Sequence, residues 1–234
     1  DLVRSRGLGD VYKRQAQYNS ILDAIGAGNG TSTRIAEAAG VNPNSVGKYI
    51  KTLVSLGIIE KVAPFGETTT SRSSRYRIKD PFFAYWYRFV SRYLGAIEEG
   101  AGAAAAGYAT SGAAFATYLG GQFELACLQW VSRESAAGRL PFAALEFGKW
   151  WGTDPQAREE TDIDVVAANK AEHKLLVGEC KWRNSFDETA AIEALEHRAT
   201  LLRGFSQCYH VLFTKRDVSE GTREKVATRS DLRV

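Results

Sequence analysis

The chain has 234 residues, of which 44% are hydrophobic and 24% are charged, and its formal net charge is +3. This composition is ordinary for a soluble globular protein with one large or two smaller domains. No apolar run reaches the ~18 residues of a membrane span and no secretory signal opens the chain, so we expect a cytoplasmic protein without membrane association. The three cysteines form no CxxC pair and the histidines show no metal-ligand spacing with them, which argues against a zinc site.

The start of the chain differs in pattern from the rest. Residues 1–15, DLVRSRGLGDVYKRQ, show neither helical nor alternating apolar periodicity, and we expect a non-native leader that lies outside the fold. From Tyr18 onward, apolar residues recur at helical spacing until Gly26, which predicts the first helix.

Residues 16–79 predict a winged helix-turn-helix domain. After the first helix, the expected elements are a helix capped by Thr31 or Ser32, a helix capped by Asn42, a strand at 58–62, a polar loop at 64–74 and a return strand at 75–78. Between Thr31 and Lys79 there are eight basic and three acidic residues, which gives a local net charge of +5. This charge favours DNA as the partner of the domain.

The DNA contacts of such a domain would come from its third helix and its wing. The third helix would present Asn44, Ser45, Lys48 and Lys51 to a major groove, and Arg72 and Arg75 in the wing would lie near phosphates. Winged helices also bind other proteins, so a protein-binding role is the alternative.

Residues 80–112 are expected to connect two domains. The stretch Tyr76–Val90, YRIKDPFFAYWYRFV, predicts a strand end, a proline turn and an aromatic helix whose rings dock the winged helix on the second domain. The stretch Gly95–Gly112 is rich in Ala and Gly and predicts a linker, either a frayed helix or a flexible connection.

Residues 113–234 predict a second domain of mixed helices and strands. The expected elements are a helix at 113–132 with Glu124 beside its apolar stripe, a strand at 145–151, a hairpin of strands at 163–168 and 175–178, a helix at 187–202, a strand at 208–214 and a helix at 219–227. Since right-handed crossovers dominate, the strand at 208–214 should lie parallel to the second hairpin strand. The chain ends where a further strand would be expected.

The hairpin carries two pairs of charged residues at strand spacing. Asp162 and Asp164 should share one face of the first strand, and Glu179 and Lys181 one face of the second. The residues expected to face the other way are Val165, Val177 and Cys180. Because neighbouring carboxylates repel unless a cation bridges them, Asp164 and Glu179 suggest a site for Mg²⁺ or Mn²⁺.

An acid on a helix, a central acid and a Glu-x-Lys strand in this order resemble the PD-(D/E)xK nuclease superfamily, which has the restriction-endonuclease-like fold. The matching residues are Glu124 in GGQFELA, Asp164 in IDVVA, and Glu179 and Lys181 in GECKW. No Pro precedes Asp164, and Asp162 stands where such relatives often have Glu. The resemblance implies an α/β (α+β) domain with a central mixed sheet flanked by helices, acting on DNA. It also implies that Asp164, Glu179 and the backbone carbonyl of Cys180 hold Mg²⁺ or Mn²⁺, that Lys181 aligns the attacking water, and that Glu124 adds a water-mediated contact or a second ion.

The amino-acid sequences of several segments also resemble the DUF234 family of prokaryotic ATPases. The matching segments lie within roughly residues 17–228. They are YRIKDPFFAYWYRFV, the Gly-rich start of the helix that carries Phe123 and Glu124, FGKWWG, IDVVA and GECKW. In that family a P-loop ATPase domain precedes the winged helix, so an N-terminal ATPase domain is the expected partner. This chain contains no GxxxxGK[ST] motif. Two alternatives to a nuclease remain, a non-catalytic DNA-binding regulator and an ATPase-regulating interaction module with a decayed nuclease fold.

Overall fold

The computed structural model describes the backbone of residues 2–234 and the side chains of residues 14–234. The chain divides into two compact units. The N-terminal unit comprises Asp1–Ala63 and Thr68–Gly112, and the C-terminal unit comprises Pro64–Glu67 and Ala113–Val234. No helix in the described part of the chain is both long enough and apolar enough to cross a bilayer.

The N-terminal unit begins with three helices and a two-stranded antiparallel sheet. The elements are α1 (Leu2–Gly26), α2 (Ser32–Ala39), α3 (Pro43–Ser55), β1 (Ile59–Val62) and β2 (Arg75–Ile78). Ile21, Ile35, Leu53 and Ile59, one from each of the first four elements, lie fully buried in a common core. This is the predicted arrangement of three helices followed by a β-hairpin.

Local chemistry explains where these helices begin. The Thr31 side chain accepts a hydrogen bond from the backbone N–H of Arg34, and Asn42 Oδ1 accepts one from Asn44 at 2.9 Å. The first helix was expected at Tyr18, but α1 starts at Leu2, so that boundary is wrong. A helix needs only backbone hydrogen bonds and residues of fair helix propensity, whereas apolar periodicity marks a buried face. The native or foreign origin of residues 1–15 stays a prediction.

The rest of the N-terminal unit is helical. It consists of α4 (Pro81–Tyr85), a π-helical turn (Trp86–Val90), a 3₁₀ turn (Ser91–Tyr93), α5 (Leu94–Glu98) and α6 (Gly102–Thr110). Phe89 is buried, but Phe82 and Phe83 are 64% and 44% exposed, so the expectation that these two rings are packed is wrong. Of the two forms expected for the linker, a frayed helix or a flexible connection, the structure shows helix, since Ala is the best helix former and the stretch contributes to α5 and α6.

The C-terminal unit is a mixed five-stranded sheet flanked by helices, which confirms the predicted α+β class. Its elements are α7 (Ala113–Ala136), β3 (Glu146–Asp154), β4 (Glu159–Asn169), β5 (Lys174–Lys181), α8 (Glu188–Ala199), β6 (Gln207–Thr214), α9 (Glu220–Ala227) and β7 (Leu232–Arg233). The strand order is β3-β4-β5-β6-β7. Neighbours are antiparallel from β3 to β5 and parallel from β5 to β7, as expected for a right-handed crossover through α8. The chain was expected to end where a further strand would follow, but the short β7 pairs with β6 within it, so that expectation is wrong.

Each face of this sheet has its own apolar core. On one face, here called the α7 face, the buried residues of helix and strands are Cys127, Val131, Val165, Ala167, Leu176 and Val211. On the other, the α8 face, they are Ile163, Val166, Ala168, Leu175, Val177, Leu195 and Ala199. The central strands β4 and β5 are therefore covered on both sides, which fixes the positions of polar residues at their ends.

Candidate functional site

Asp164 lies in a β-bulge. The pairing of β3 with β4 slips by one residue between Gly148 and Trp150. Lys149 consequently opposes two residues of β4, Asp164 and Val165. A bulge interrupts strict alternation and re-aims a side chain, and here it directs Asp164 toward the α7 face.

Val165, Val177 and Cys180 were predicted to face away from the charged residues of the hairpin. The prediction is correct for Cys180 and wrong for the two valines. Val165 packs in the α7-face core, on the side toward which Asp164 points, because the bulge adds a residue at this place. Val177 packs in the α8-face core, on the same side as Glu179, because residues two apart in a regular strand share a face. The two halves of the candidate site are thus directed to opposite faces of the sheet.

The first half is organised by Lys149. Its Nζ lies 2.8 Å from Oε2 of Glu124, 2.8 Å from Oδ2 of Asp162 and 3.0 Å from Oδ1 of Asp164. Glu124 comes from α7, Lys149 from β3 and the two aspartates from β4, so three elements converge. These four residues are called the Lys149 cluster below. An ammonium has three N–H donors, and all three face carboxylates here.

Two members of the Lys149 cluster have shifted pKa values. Burial alone would lower the pKa of Lys149, but the neighbouring Asp164, Glu124 and Asp162 outweigh it and hold that pKa well above its usual range. Burial raises the pKa of Glu124, and the charge of Asp164 raises it further, while Lys149 partly offsets both. The ammonium is therefore a permanent charge, held among carboxylates that repel one another.

The second half is organised by Glu179, whose side chain is only 6% exposed. Its Oε1 accepts a hydrogen bond from Nζ of Lys181 at 2.5 Å. Its Oε2 lies 2.9 Å from Nη2 of Arg198, an ion-pair distance, although the groups are not aligned for a hydrogen bond. Arg198 comes from α8 and also donates to the carbonyl of Asp162 at 2.7 Å. Glu179, Lys181 and Arg198 are called the Glu179 cluster below.

The two clusters meet where β4 and β5 separate. The strands are paired as far as Val165 and Gly178, and the next residue, Asp164, accepts the N–H of Cys180 at its Oδ2, at 2.9 Å. In a strand the N–H and C=O of one residue point to the same edge, so the Cys180 carbonyl also faces Asp164. A Cβ on Gly178 would lie 2.9 Å from the Phe213 ring and 3.0 Å from Val165, and glycine is required for this close packing.

The structure brings Asp164 together with Glu124, and Glu179 together with Lys181, but it does not place all four in one constellation. Among the side chains of residues 14–234, no group of three or more His, Cys, Asp and Glu is arranged to hold a metal ion. Both oxygens of Asp164 have partners, and both oxygens of Glu179 face an internal cation. The donor set nevertheless has the chemistry that Mg²⁺ or Mn²⁺ requires, with carboxylate and carbonyl oxygens and one buried Glu179 oxygen without a hydrogen bond.

Sequence reasoning missed Lys149 and Arg198. Lys149 stands inside FGKWWG and shares a strand face with Phe147, two residues before it, which packs on the α7 side. That spacing was an available signal for its face. The register that sets Lys149 against Asp164 depends on the bulge, however, and no sequence pattern marks it. Arg198 is one of several charged residues on α8, and only packing selects it as the partner of Glu179.

The predicted DNA-contacting residues lie on the surface of the N-terminal unit. Asn44, Ser45, Lys48 and Lys51 project from α3 and are exposed or half-exposed. Residues three and four apart on a helix share one face, so these four form a stripe. In the hairpin, Arg72 lies in the loop before β2 and Arg75 is the first residue of β2, and both are exposed or half-exposed.

A cavity of 1120 Å³ lies on the α7 face of the C-terminal unit, next to β6. Its lining includes the aromatic rings of Trp130, Tyr209 and Phe213 and the chain end at Val234. None of the acids of the two clusters lines it, so this cavity is separate from the candidate site.

Comparison with known proteins shows which proteins the region of the candidate site is similar to. The family model DUF234, described as archaeal and bacterial proteins of unknown function, matches residues 86–192, which include both clusters except Arg198. An uncharacterized protein of Methanocaldococcus jannaschii is 31% identical over 176 residues, which cover 75% of this chain. The chain spans only 38% of that relative's length. No solved structure matches. The region 86–192, which holds most of the candidate site, is thus similar to the DUF234 family.

Proposed function

We propose that this chain binds DNA and hydrolyses phosphodiester bonds in a Mg²⁺- or Mn²⁺-dependent reaction at Asp164, Glu179 and Lys181. One observation carries the proposal. Asp164 sits in a bulge at the point where β4 leaves β5, hydrogen-bonded to the backbone of the Glu-x-Lys segment on the next strand. Two acids on adjacent strands, with a lysine two residues beyond the second, are a donor set suited to a hard cation and a positioned water.

Each residue would have a distinct role in this reaction. Asp164, Glu179 and the Cys180 carbonyl would hold the cation, which when bound supplies positive charge at the scissile phosphate and a more acidic water. Lys181 already contacts Glu179 and would orient the attacking water. Glu124 would hold a water or a second ion from the side of α7.

DNA would be held by the N-terminal unit. The stripe of Asn44, Ser45, Lys48 and Lys51 on α3 is suited to a major groove, and Arg72 and Arg75 in the hairpin are suited to phosphates. The local charge of +5 between Thr31 and Lys79 supports a partner that is a polyanion.

Nicking of supercoiled plasmid by the full chain tests the proposal. Wild type should nick in millimolar Mg²⁺ or Mn²⁺, and Asp164→Asn and Lys181→Met should each lose about two or more orders of magnitude in rate. Lys170→Met is the matched control, since it also removes a lysine, one that pairs with Glu146 on an exposed edge. Nicking that persists in Asp164→Asn would mean that these residues do not carry the reaction.

A non-enzymatic role is the second candidate. Its support is that internal cations already compensate both acids and that no three-ligand metal group exists among the described side chains. A DNA-binding regulator would bind duplex DNA at low salt and show no metal-dependent change. An interaction module that regulates an ATPase would be indifferent to nucleic acid.

An N-terminal P-loop ATPase domain is proposed as the partner of both units. The curated relative, of which this chain spans 38%, leaves room for such a domain. A GxxxxGK[ST] motif in the reading frame upstream of this segment would support the proposal, and a frame without one would contradict it.

A further inference from the structure

We infer that Lys149 is a resident counter-cation that occupies the metal position at Asp164, so that a divalent cation and the Lys149 ammonium compete for the same carboxylate oxygen. This inference rests on the proposed metal-dependent function and adds a residue that controls access to its site. It concerns the state of the protein before metal binds.

The hydrogen bonds of Asp164 define the competition. Oδ2 accepts the backbone N–H of Cys180, which belongs to β5 and is held in place by strand pairing. Oδ1 accepts from Lys149 Nζ at 3.0 Å. A metal ion that takes the position of either partner at Asp164 therefore has to displace a fixed backbone group or the end of a flexible side chain. The lysine is the group that can leave, since its ammonium sits on a flexible four-carbon stem.

The backbone of Lys149 is anchored while its side chain is long. The Lys149 carbonyl accepts the N–H of Phe65 at 2.8 Å within the C-terminal unit, and β3 is paired with β4 on both sides of the bulge. Nζ can thus move without any change in the sheet.

Charge explains why a cation is needed there. Glu124, Asp162 and Asp164 carry three negative charges around one ammonium, which leaves the cluster with a net charge of −2. Without Lys149 the three carboxylates would repel one another inside a partly buried site. A divalent cation would supply more charge to Asp164 Oδ1 than the ammonium does, so it would compete with Lys149 for that oxygen.

The test is calorimetric titration of Mn²⁺ into the full chain. Lys149→Met should bind Mn²⁺ at least about tenfold more tightly than wild type, the scale of one charge-assisted hydrogen bond that no longer has to be broken. Lys149→Arg keeps the charge and should bind no more tightly than wild type. Lys170→Met, which removes an exposed lysine from the turn between β4 and β5, should also behave as wild type.

A second readout does not depend on affinity. Metal-free Lys149→Met should melt below wild type, and saturating Mn²⁺ should raise its midpoint by more than that of wild type, since the ion replaces the missing charge. If Lys149→Met fails to fold, the comparison moves to Glu124→Gln against Glu124→Gln/Lys149→Met, because removal of one acid relieves part of the repulsion.

The outcomes separate this inference from the function on which it rests. Binding by wild type with equal or weaker binding by Lys149→Met would overturn the counter-cation role and leave the metal site standing. Mn²⁺ binding by Lys149→Met but not by wild type would support the counter-cation role most strongly, because the lysine would then exclude the metal completely. No Mn²⁺ binding by any folded variant would overturn both.

Discussion

Replacing Arg198 with Met should destabilise the C-terminal unit by about 3 kcal/mol. Arg198 is 15% exposed, and its Nη2 lies 2.9 Å from Oε2 of Glu179, whose side chain is 6% exposed. Removal of one partner from a buried ion pair costs about 3–5 kcal/mol, because the remaining charge stays desolvated. Lys181 still contacts Glu179 in the variant, which favours the lower end of that range.

Urea denaturation followed by tryptophan fluorescence measures this loss, since four of the five tryptophans lie in the C-terminal unit. Arg139→Met is the control. It breaks a 2.6 Å pair with Glu134 in which the arginine is exposed, and its stability should match wild type. The double variant Glu179→Gln/Arg198→Met should recover most of the loss, because no buried charge is left unpaired. Full stability of Arg198→Met, or no recovery in the double variant, would refute the reasoning.

Three further predictions address other parts of the chain. Gly178→Ala should destabilise the protein by about 1–3 kcal/mol through overpacking at the strand junction, whereas Gly221→Ala in α9, where a Cβ meets nothing within 4 Å, should be neutral or stabilising in the same urea assay. Burial holds the pKa of His210 below its usual 6.5. The stability that the neutral ring contributes is therefore present above that pH and is lost as the pH falls. His210→Gln should flatten the resulting decline in unfolding free energy between about pH 7 and 5. A Lys48→Gln/Lys51→Gln double variant should reduce the slope of log K against log salt for duplex DNA by about two, and an unchanged slope in filter binding would remove α3 from the DNA interface.

The fold was predictable where burial imposes a period. Helical spacing identified α7, and two short apolar runs with a polar turn identified the β4–β5 hairpin. The crossover rule gave the parallel pairing of β5 with β6. These features depend on one face of an element being apolar, and the spacing of apolar residues in the sequence shows that face.

The candidate site was predictable only in part, because its geometry depends on strand register. The order of Asp164, Glu179 and Lys181 suggested a shared site, but strict alternation fails at the bulge that sets Asp164 against Lys149. The pairing of Glu179 with Arg198 depends on how α8 packs over the sheet. A sequence pattern can thus identify candidate acids without showing which cation faces each of them.

Anomalous X-ray diffraction from crystals of the full chain soaked in Mn²⁺ tests the central claim most directly. We expect one strong manganese peak coordinated by the Asp164 carboxylate, Glu179 and the Cys180 carbonyl, with Lys149 Nζ withdrawn from Asp164 Oδ1. A crystal with Lys149 still in contact with all three carboxylates, and with no manganese at Asp164, would contradict both the metal site and the nuclease function built on it.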